Sequence, residues 1–149
     1  MSHVVQSTVK YRDLDALAAA VARCGGEFQA NKTEYAWWGS RAGGGNYGHR
    51  PVADDGKCLH AIKVSGTDPK NGYTGPWEIG VLAAPDGDGY QLEYDYYGGA
   101  GHELLRVFGG KGTELSKLAE EYGAEVAMRQ LARAGFRTVR TEGPLQTVR

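Results

Sequence analysis

One glycine-rich stretch, residues 38–50, carries the side chains best suited to holding a ligand. Guanidinium groups and aromatic rings on a flexible loop can stack on nucleobases and bind phosphates. The side chains of this kind are Trp38, Arg41, Tyr47, His49 and Arg50. The stretch therefore predicts a site for nucleic acid or a nucleotide-like anion. The alternative is a solvated loop, and a net charge of −1 counts against nucleic acid.

The same stretch contains Gly43-x-Gly45-x-x-Gly48, the spacing of a dinucleotide-binding loop. Such a loop holds a pyrophosphate only where it follows a strand and opens a helix. Here Pro51 follows within three residues, and no helical pattern comes behind it. We therefore interpret the motif as loop sequence rather than as a Rossmann site.

A second glycine-rich segment, Gly109–Thr113, places Lys111 ahead of a predicted helix. Glycines, a lysine and a helix N-terminus together can hold an anion. The segment does not fit a Walker A motif, because position 105 is leucine and Gly112 separates Lys111 from Thr113. The alternative is a plain helix entry in which Thr113 is the capping residue.

Two pairs of residues have the spacing of metal or acid–base chemistry. Cys58 and His60 are expected on one face of a strand. Zinc usually takes four ligands, and the other cysteine and histidines of the sequence are scattered. We therefore interpret Cys58 and His60 as core or sheet residues. Glu93 and Asp95 are expected on the polar face of a strand, where charges are usually solvated. No nucleophile elbow and no H-E-x-x-H motif occurs. We therefore expect no metal and no cofactor, and the spacing of the residues places no general-base pair. An enzyme with its site around His49, His60 and His102 is the alternative that this leaves open.

Composition narrows the class of protein further. The 149 residues fit a single α+β domain spanning 1–149. Two cysteines, no secretory leader pattern and no apolar run of about 20 residues predict a cytoplasmic protein without a membrane anchor. Of the 23 glycines, 14 cluster in residues 39–48, 66–75 and 98–112, which predicts long loops.

The elements that must position these side chains are organised around Trp77–Tyr97. Two runs rich in β-branched and aromatic residues flank Pro85–Gly89, which predicts a hairpin turn. From Tyr90 to Tyr97 apolar and polar residues alternate, which indicates a strand with one buried and one wetted face. An isolated hairpin is marginally stable, so other elements must cover its apolar face.

The rest of the chain supplies further strands and two helices. Asp13 and Gly25 are predicted caps of the helix 14–24. A longer helix is predicted over 114–134 and closed by Gly135. Runs of consecutive strands favour an antiparallel sheet with both helices on one face, as a ferredoxin-like variant. The other predicted strands span residues 4–11, 27–38, 57–64, 136–142 and 145–149.

Seven short blocks of the sequence carry a family resemblance. They are Met1–His3, Ser7–Lys10, Asp13–Leu17, Trp77–Val81, Tyr90–Glu93, Leu118–Tyr122 and Ala134–Val139. In this order they resemble the Ycf35-like proteins, a family without an established activity. The blocks contain 32 of the 149 residues, and the glycine-rich segments between them look longer than usual for the family. In bacteria such proteins are often neighbours of an AAA-type ATPase, so the resemblance implies an accessory role.

We therefore expect a small non-enzymatic accessory or interaction protein that works with a protein partner. The alternative is a binding module for nucleic acid or a nucleotide-like anion, using residues 38–50 and Lys111. An exposed sheet edge would also allow a second copy of the chain to bind, so a homo-oligomer stays open.

Overall fold

The hairpin around Pro85–Gly89 forms as expected in the computed structural model of the protein. Strands β4 (Ile79–Ala83) and β5 (Tyr90–Asp95) pair in antiparallel fashion. The amide of Gly87 donates to the carbonyl of Ala84 over 2.9 Å and closes the turn, and Gly87, with a φ of 76°, directs the chain toward β5. The structure describes residues 4–37, 56–67, 76–109, 114–139 and 146–148.

Three shorter strands complete a five-stranded antiparallel sheet, in the order β1-β5-β4-β3-β2. They are β1 (Val4–Gln6), β2 (Gly26–Gln29) and β3 (His60–Val64). The alternating pairings make the two edge strands, β1 and β2, run in the same direction with three strands between them. The α+β class with an antiparallel sheet is confirmed, and the ferredoxin-like detail is not.

Helix α1 (Leu14–Cys24) carries the chain from one sheet edge to the other. Its N-cap is the predicted one, because the amide of Ala16 donates to Asp13 Oδ1 over 3.0 Å. Gly25 ends the helix in the left-handed conformation with a φ of 94°. Both caps are therefore confirmed, and they fix where the crossing helix begins and ends.

Helix α2 (Gly98–Phe108) lies within residues 98–112, where the sequence predicts a long glycine-rich loop. The expectation of a loop over this part of the segment is wrong. A Cβ at Gly101 would lie 2.1 Å from the backbone carbonyl carbon of Tyr96. The glycine is needed because the helix turns back closely against the end of β5, and not because the chain is a loop.

The three helices cover one face of the sheet and form the main core with it. Helix α3 (Ser116–Arg133) packs mainly on α1 and begins two residues later than predicted. None of the helices among the described residues is long and apolar enough to span a bilayer. The largest fully buried apolar side chains of this core are Tyr11, Leu17, Ile62, Ile79, Leu92, Leu104, Phe108 and Leu118.

A separate two-stranded hairpin follows α3. Strand β6 (Arg137–Val139) pairs with β7 (Gln146–Val148), and both lie within the predicted strands 136–142 and 145–149. The amide of Phe136 donates to the carbonyl of Leu131 over 2.9 Å, so the chain folds back on the end of the helix. Among the described elements, α3 is the one on which this hairpin mainly packs.

Replacing Gly123 by alanine should stabilise the protein by about 1 kcal/mol. Gly123 is an exposed residue inside α3, and an added Cβ would meet nothing within 4 Å. Alanine is favoured over glycine inside a helix by about this amount. Urea unfolding should show a higher midpoint with an unchanged slope. The matched change Gly101→Ala should lower the midpoint, and a fall in both variants would contradict the packing described for Gly123.

Candidate functional site

The ligand-binding residues predicted from the sequence lie outside the described residues. This holds for Trp38, Arg41, Tyr47, His49, Arg50 and Lys111, and for the Gly43-x-Gly45-x-x-Gly48 motif. Their binding role stays a prediction. The site built below therefore comes from side chains that the sequence predicted elsewhere or did not single out.

Glu93 and Asp95 are buried, so the prediction that they are solvated is wrong. Their exposed fractions are 1% and 0%, and that of Glu78, which was not predicted as a site residue, is 0%. All three belong to the second face of the sheet, which we define as the face opposite the helices. The smaller apolar cluster on this face contains no residue of the three helices.

A row of side chains crosses the second face at Glu93. The strand register aligns Gln6, Glu93, Gly80, Ala61 and Gln29 across all five strands. The two smallest residues occupy the middle of this row, which leaves space above the sheet for an aromatic ring.

Tyr35 fills that space. A Cβ at Gly80 would lie 2.4 Å from the Tyr35 ring, so the glycine is required for this packing. The ring position brings the Tyr35 hydroxyl to 2.6 Å from Glu93 Oε1, to which it donates a hydrogen bond. Gln6 Nε2 donates to the other carboxylate oxygen over 2.9 Å. Burial, and then the bond to Glu93, raise the pKa of Tyr35 above its ordinary value, so the phenol stays protonated.

Glu78 fastens the neighbouring segment, residues 30–37, to the same face. The ammonium of Lys32 lies 2.6 Å from Glu78 Oε2, and the amide of Ala36 donates to Oε1 over 2.8 Å. Gln29 Nε2 also donates to Oε2. Because its oxygens are bonded inside the protein, Glu78 acts as a structural anchor rather than as an acid or base facing solvent.

Cys58 and His60 lie on opposite faces, so the prediction that they share one is wrong. The chain bends at Leu59, and regular strand begins only at His60. The thiol of Cys58 donates to the carbonyl of Lys32 over 3.2 Å on the second face, whereas His60 lies beside the ring of Phe28. Among the described residues, no group of three or more histidine, cysteine or carboxylate side chains could hold a metal ion.

Burial raises the pKa of the Cys58 thiol to about 12, and the nearby carboxylate of Glu78 adds to the shift. At neutral pH the group is therefore a thiol, which is a poor nucleophile and a poor metal ligand. Its place in the structure is that of a small apolar side chain, packed in one cluster with Tyr35 and Trp37.

The bend at Leu59 opens a groove at the margin of the second face. The amide of Leu59 donates to the carbonyl of Val81 over 2.9 Å, while its side chain stays 47% exposed. The groove has a volume of about 280 Å³ and is open to solvent. The described residues that line it are Lys57, Cys58, Leu59, Leu82 and Ala83.

The groove and the buried network have different uses. Every carboxylate of the network has a partner in the protein, since Asp95 Oδ1 also accepts from the amide of Tyr97 over 3.0 Å. The network therefore holds residues 30–37 in place. The groove is an accessible apolar concavity beside the network, with one cationic side chain, Lys57, on its wall.

Comparison with known proteins adds no relative, since no family model, no curated protein and no solved structure matches the chain.

Proposed function

We propose that this protein is a non-enzymatic accessory protein, and that it binds a protein partner through the groove beside Leu59. The observation that carries the proposal is the exposure of Leu59, 47%, at the wall of an apolar concavity. An exposed apolar side chain at the rim of a concavity offers apolar surface that a partner protein can cover.

The dimensions of the groove favour a side chain of a protein over a cofactor. Sites for small molecules usually have volumes of about 300–1,000 Å³ and enclose most of the ligand. The groove, about 280 Å³, is at the lower end of that range, and because it is open to solvent it would enclose little of a small molecule. A single apolar side chain that projects from a partner protein needs no such enclosure. The ammonium of Lys57 at its wall suits a partner segment in which a carboxylate stands near the apolar residue.

The Ycf35-like resemblance supports an AAA-type ATPase as the class of partner. Under this proposal the accessory protein contributes a rigid docking surface, because the Tyr35–Glu93 and Lys32–Glu78 bonds hold the segment beside the groove. A rigid surface loses little conformational entropy when it binds, which favours affinity.

The test compares Leu59→Asp with Val9→Asp, a matched change at an apolar side chain that is 38% exposed elsewhere on the surface. Tagged protein isolated from host cells should carry a partner in fixed ratio, as measured by native mass spectrometry. With the purified partner, calorimetry should give a Kd at least about 30-fold weaker for Leu59→Asp, the effect of an anchor worth about 2 kcal/mol. Val9→Asp should bind like the wild type. Equal binding by all three proteins would reject the groove.

A further inference from the structure

Positive charge is concentrated at the end of the chain. The last 24 residues contain five arginines, no lysine and one carboxylate, that of Glu142. The other 125 residues hold 12 basic and 17 acidic side chains. The small net charge of −1 is therefore the sum of a basic region, the last 24 residues, and an acidic region, the other 125. Such a separation orients a protein toward a polyanion, which the net charge alone would not suggest.

We define the C-terminal arm as the last two turns of α3, residues 126–133, together with the hairpin β6–β7. The described arginines outside the arm are neutralised. Arg12 pairs with Asp88 over 2.7 Å, Arg23 with Glu125 over 2.7 Å and Arg106 with Glu103 over 2.9 Å. On the arm, no carboxylate of the described residues lies within ion-pair distance of Arg133 or Arg137.

The arm presents these two arginines to solvent from either side of one turn. Arg133 ends α3 and is exposed, and Gly135 with a φ of 87° reverses the chain. In β6 the side chains of Arg137 and Val139 are exposed, whereas Thr138 between them is half-buried. The outer face of the hairpin therefore carries a guanidinium next to an exposed apolar side chain. Arg129 is not part of this surface, because it is engaged with Glu125 and with the carbonyl of Asp15.

We propose that the C-terminal arm binds the phosphate backbone of duplex DNA, with Arg133 and Arg137 as the phosphate contacts. Arginine presents a planar fork of donors that matches phosphate oxygens. The major groove of B-DNA, about 12 Å wide, admits a two-stranded ribbon such as β6–β7. The major groove of A-form RNA is deep and too narrow for such a ribbon. This proposal is independent of the groove beside Leu59.

The experiment measures fluorescence anisotropy of a labelled 20-base-pair DNA duplex between 50 and 200 mM NaCl. We expect Arg133→Ala/Arg137→Ala to weaken binding at least about tenfold at 100 mM NaCl. The slope of log Kobs against log salt should decrease by about 2, because each lost phosphate contact removes roughly 0.9 from it. Both side chains are exposed, so the variant should keep the wild-type circular dichroism and unfolding midpoint.

Three further comparisons decide the outcome. Arg12→Ala/Arg106→Ala changes the net charge equally at exposed surface pairs and should keep the full salt slope. The variant Arg41→Ala/Arg50→Ala tests the glycine-rich loop. If this variant lost DNA binding while Arg133→Ala/Arg137→Ala kept it, the proposal would be overturned. Duplex RNA and poly-glutamate should bind more weakly than duplex DNA at equal salt. Equal binding of poly-glutamate, or no DNA binding at 20 mM NaCl, would overturn it as well.

Discussion

Raising the pH from 9 to 11 is expected to lower the free energy of unfolding by roughly 6 kcal/mol. Burial raises the pKa of Tyr94 and of Cys58 to about 12 each, and it raises those of Tyr11 and Tyr35 above their ordinary values. As the pH rises through this range, the unfolded chain releases these protons while the folded protein retains them. The folded state therefore binds more protons, and its stability must fall as the pH rises.

The same groups contribute nothing to the pH dependence below their ordinary pKa values, since both states are then protonated. Urea unfolding at pH 9, 10 and 11 measures the loss, and Tyr35→Phe is the matched variant. Because Tyr35→Phe removes one of these protons, its unfolding free energy should fall less steeply with pH than that of the wild type. Near pH 11 the two slopes should differ by about 1.4 kcal/mol per pH unit. Equal pH dependence in wild type and variant would mean that Tyr35 is not buried in its neutral form.

The elements that follow from local chemistry were predictable. Helix α1 begins after Asp13, whose side chain accepts a hydrogen bond at the N-terminus, and ends at Gly25, which takes the left-handed conformation. The turn of Pro85–Gly89 forms because Gly87 and Gly89 reach positive φ, at 76° and 77°. Each of these signals depends on a few neighbouring residues, so no knowledge of the tertiary structure is required to interpret it.

Helix α2 could not be predicted in this way. Glycine lowers helix propensity by about 1 kcal/mol, and three of the first four residues of α2 are glycine. Tertiary packing outweighs that cost, since Leu104 and Phe108 are fully buried in the main core. The close approach of Gly101 to Tyr96 is visible only once β5 and α2 are placed together.

The second face was mispredicted because alternation alone shows which side chains share a face, not whether water reaches it. Glu93 and Asp95 do share a face, but residues of the 30–37 segment lie over it. A signal existed in the small residues Ala61 and Gly80, which leave room for a ring in the middle of a sheet. Finding its occupant, Tyr35, requires the strand register, which the sequence does not contain. The predicted loop site, residues 38–50, lies outside the described residues.

Replacing Lys32 by methionine is expected to destabilise the protein by about 3 kcal/mol. The Lys32 side chain is 32% exposed while that of Glu78 is 0% exposed, so the variant leaves a carboxylate without its cation inside the protein. Losing one partner of a buried pair costs about 3–5 kcal/mol, and we expect the lower end because water can follow the path that Lys32 leaves. Chemical unfolding at pH 7 measures the loss.

The double variant Lys32→Met/Glu78→Gln separates the unpaired charge from the loss of packing. A neutral amide can keep the bond from the Ala36 amide without requiring a cation, so the double variant should be more stable than Lys32→Met alone, with a coupling of at least about 1.5 kcal/mol. Lys63→Met is the control, since its partner Glu27 is 55% exposed and such pairs contribute about 0–1 kcal/mol. If Lys32→Met cost no more than Lys63→Met, Glu78 would not anchor the 30–37 segment. The groove beside Leu59 would then lack the rigid support that the proposed docking requires.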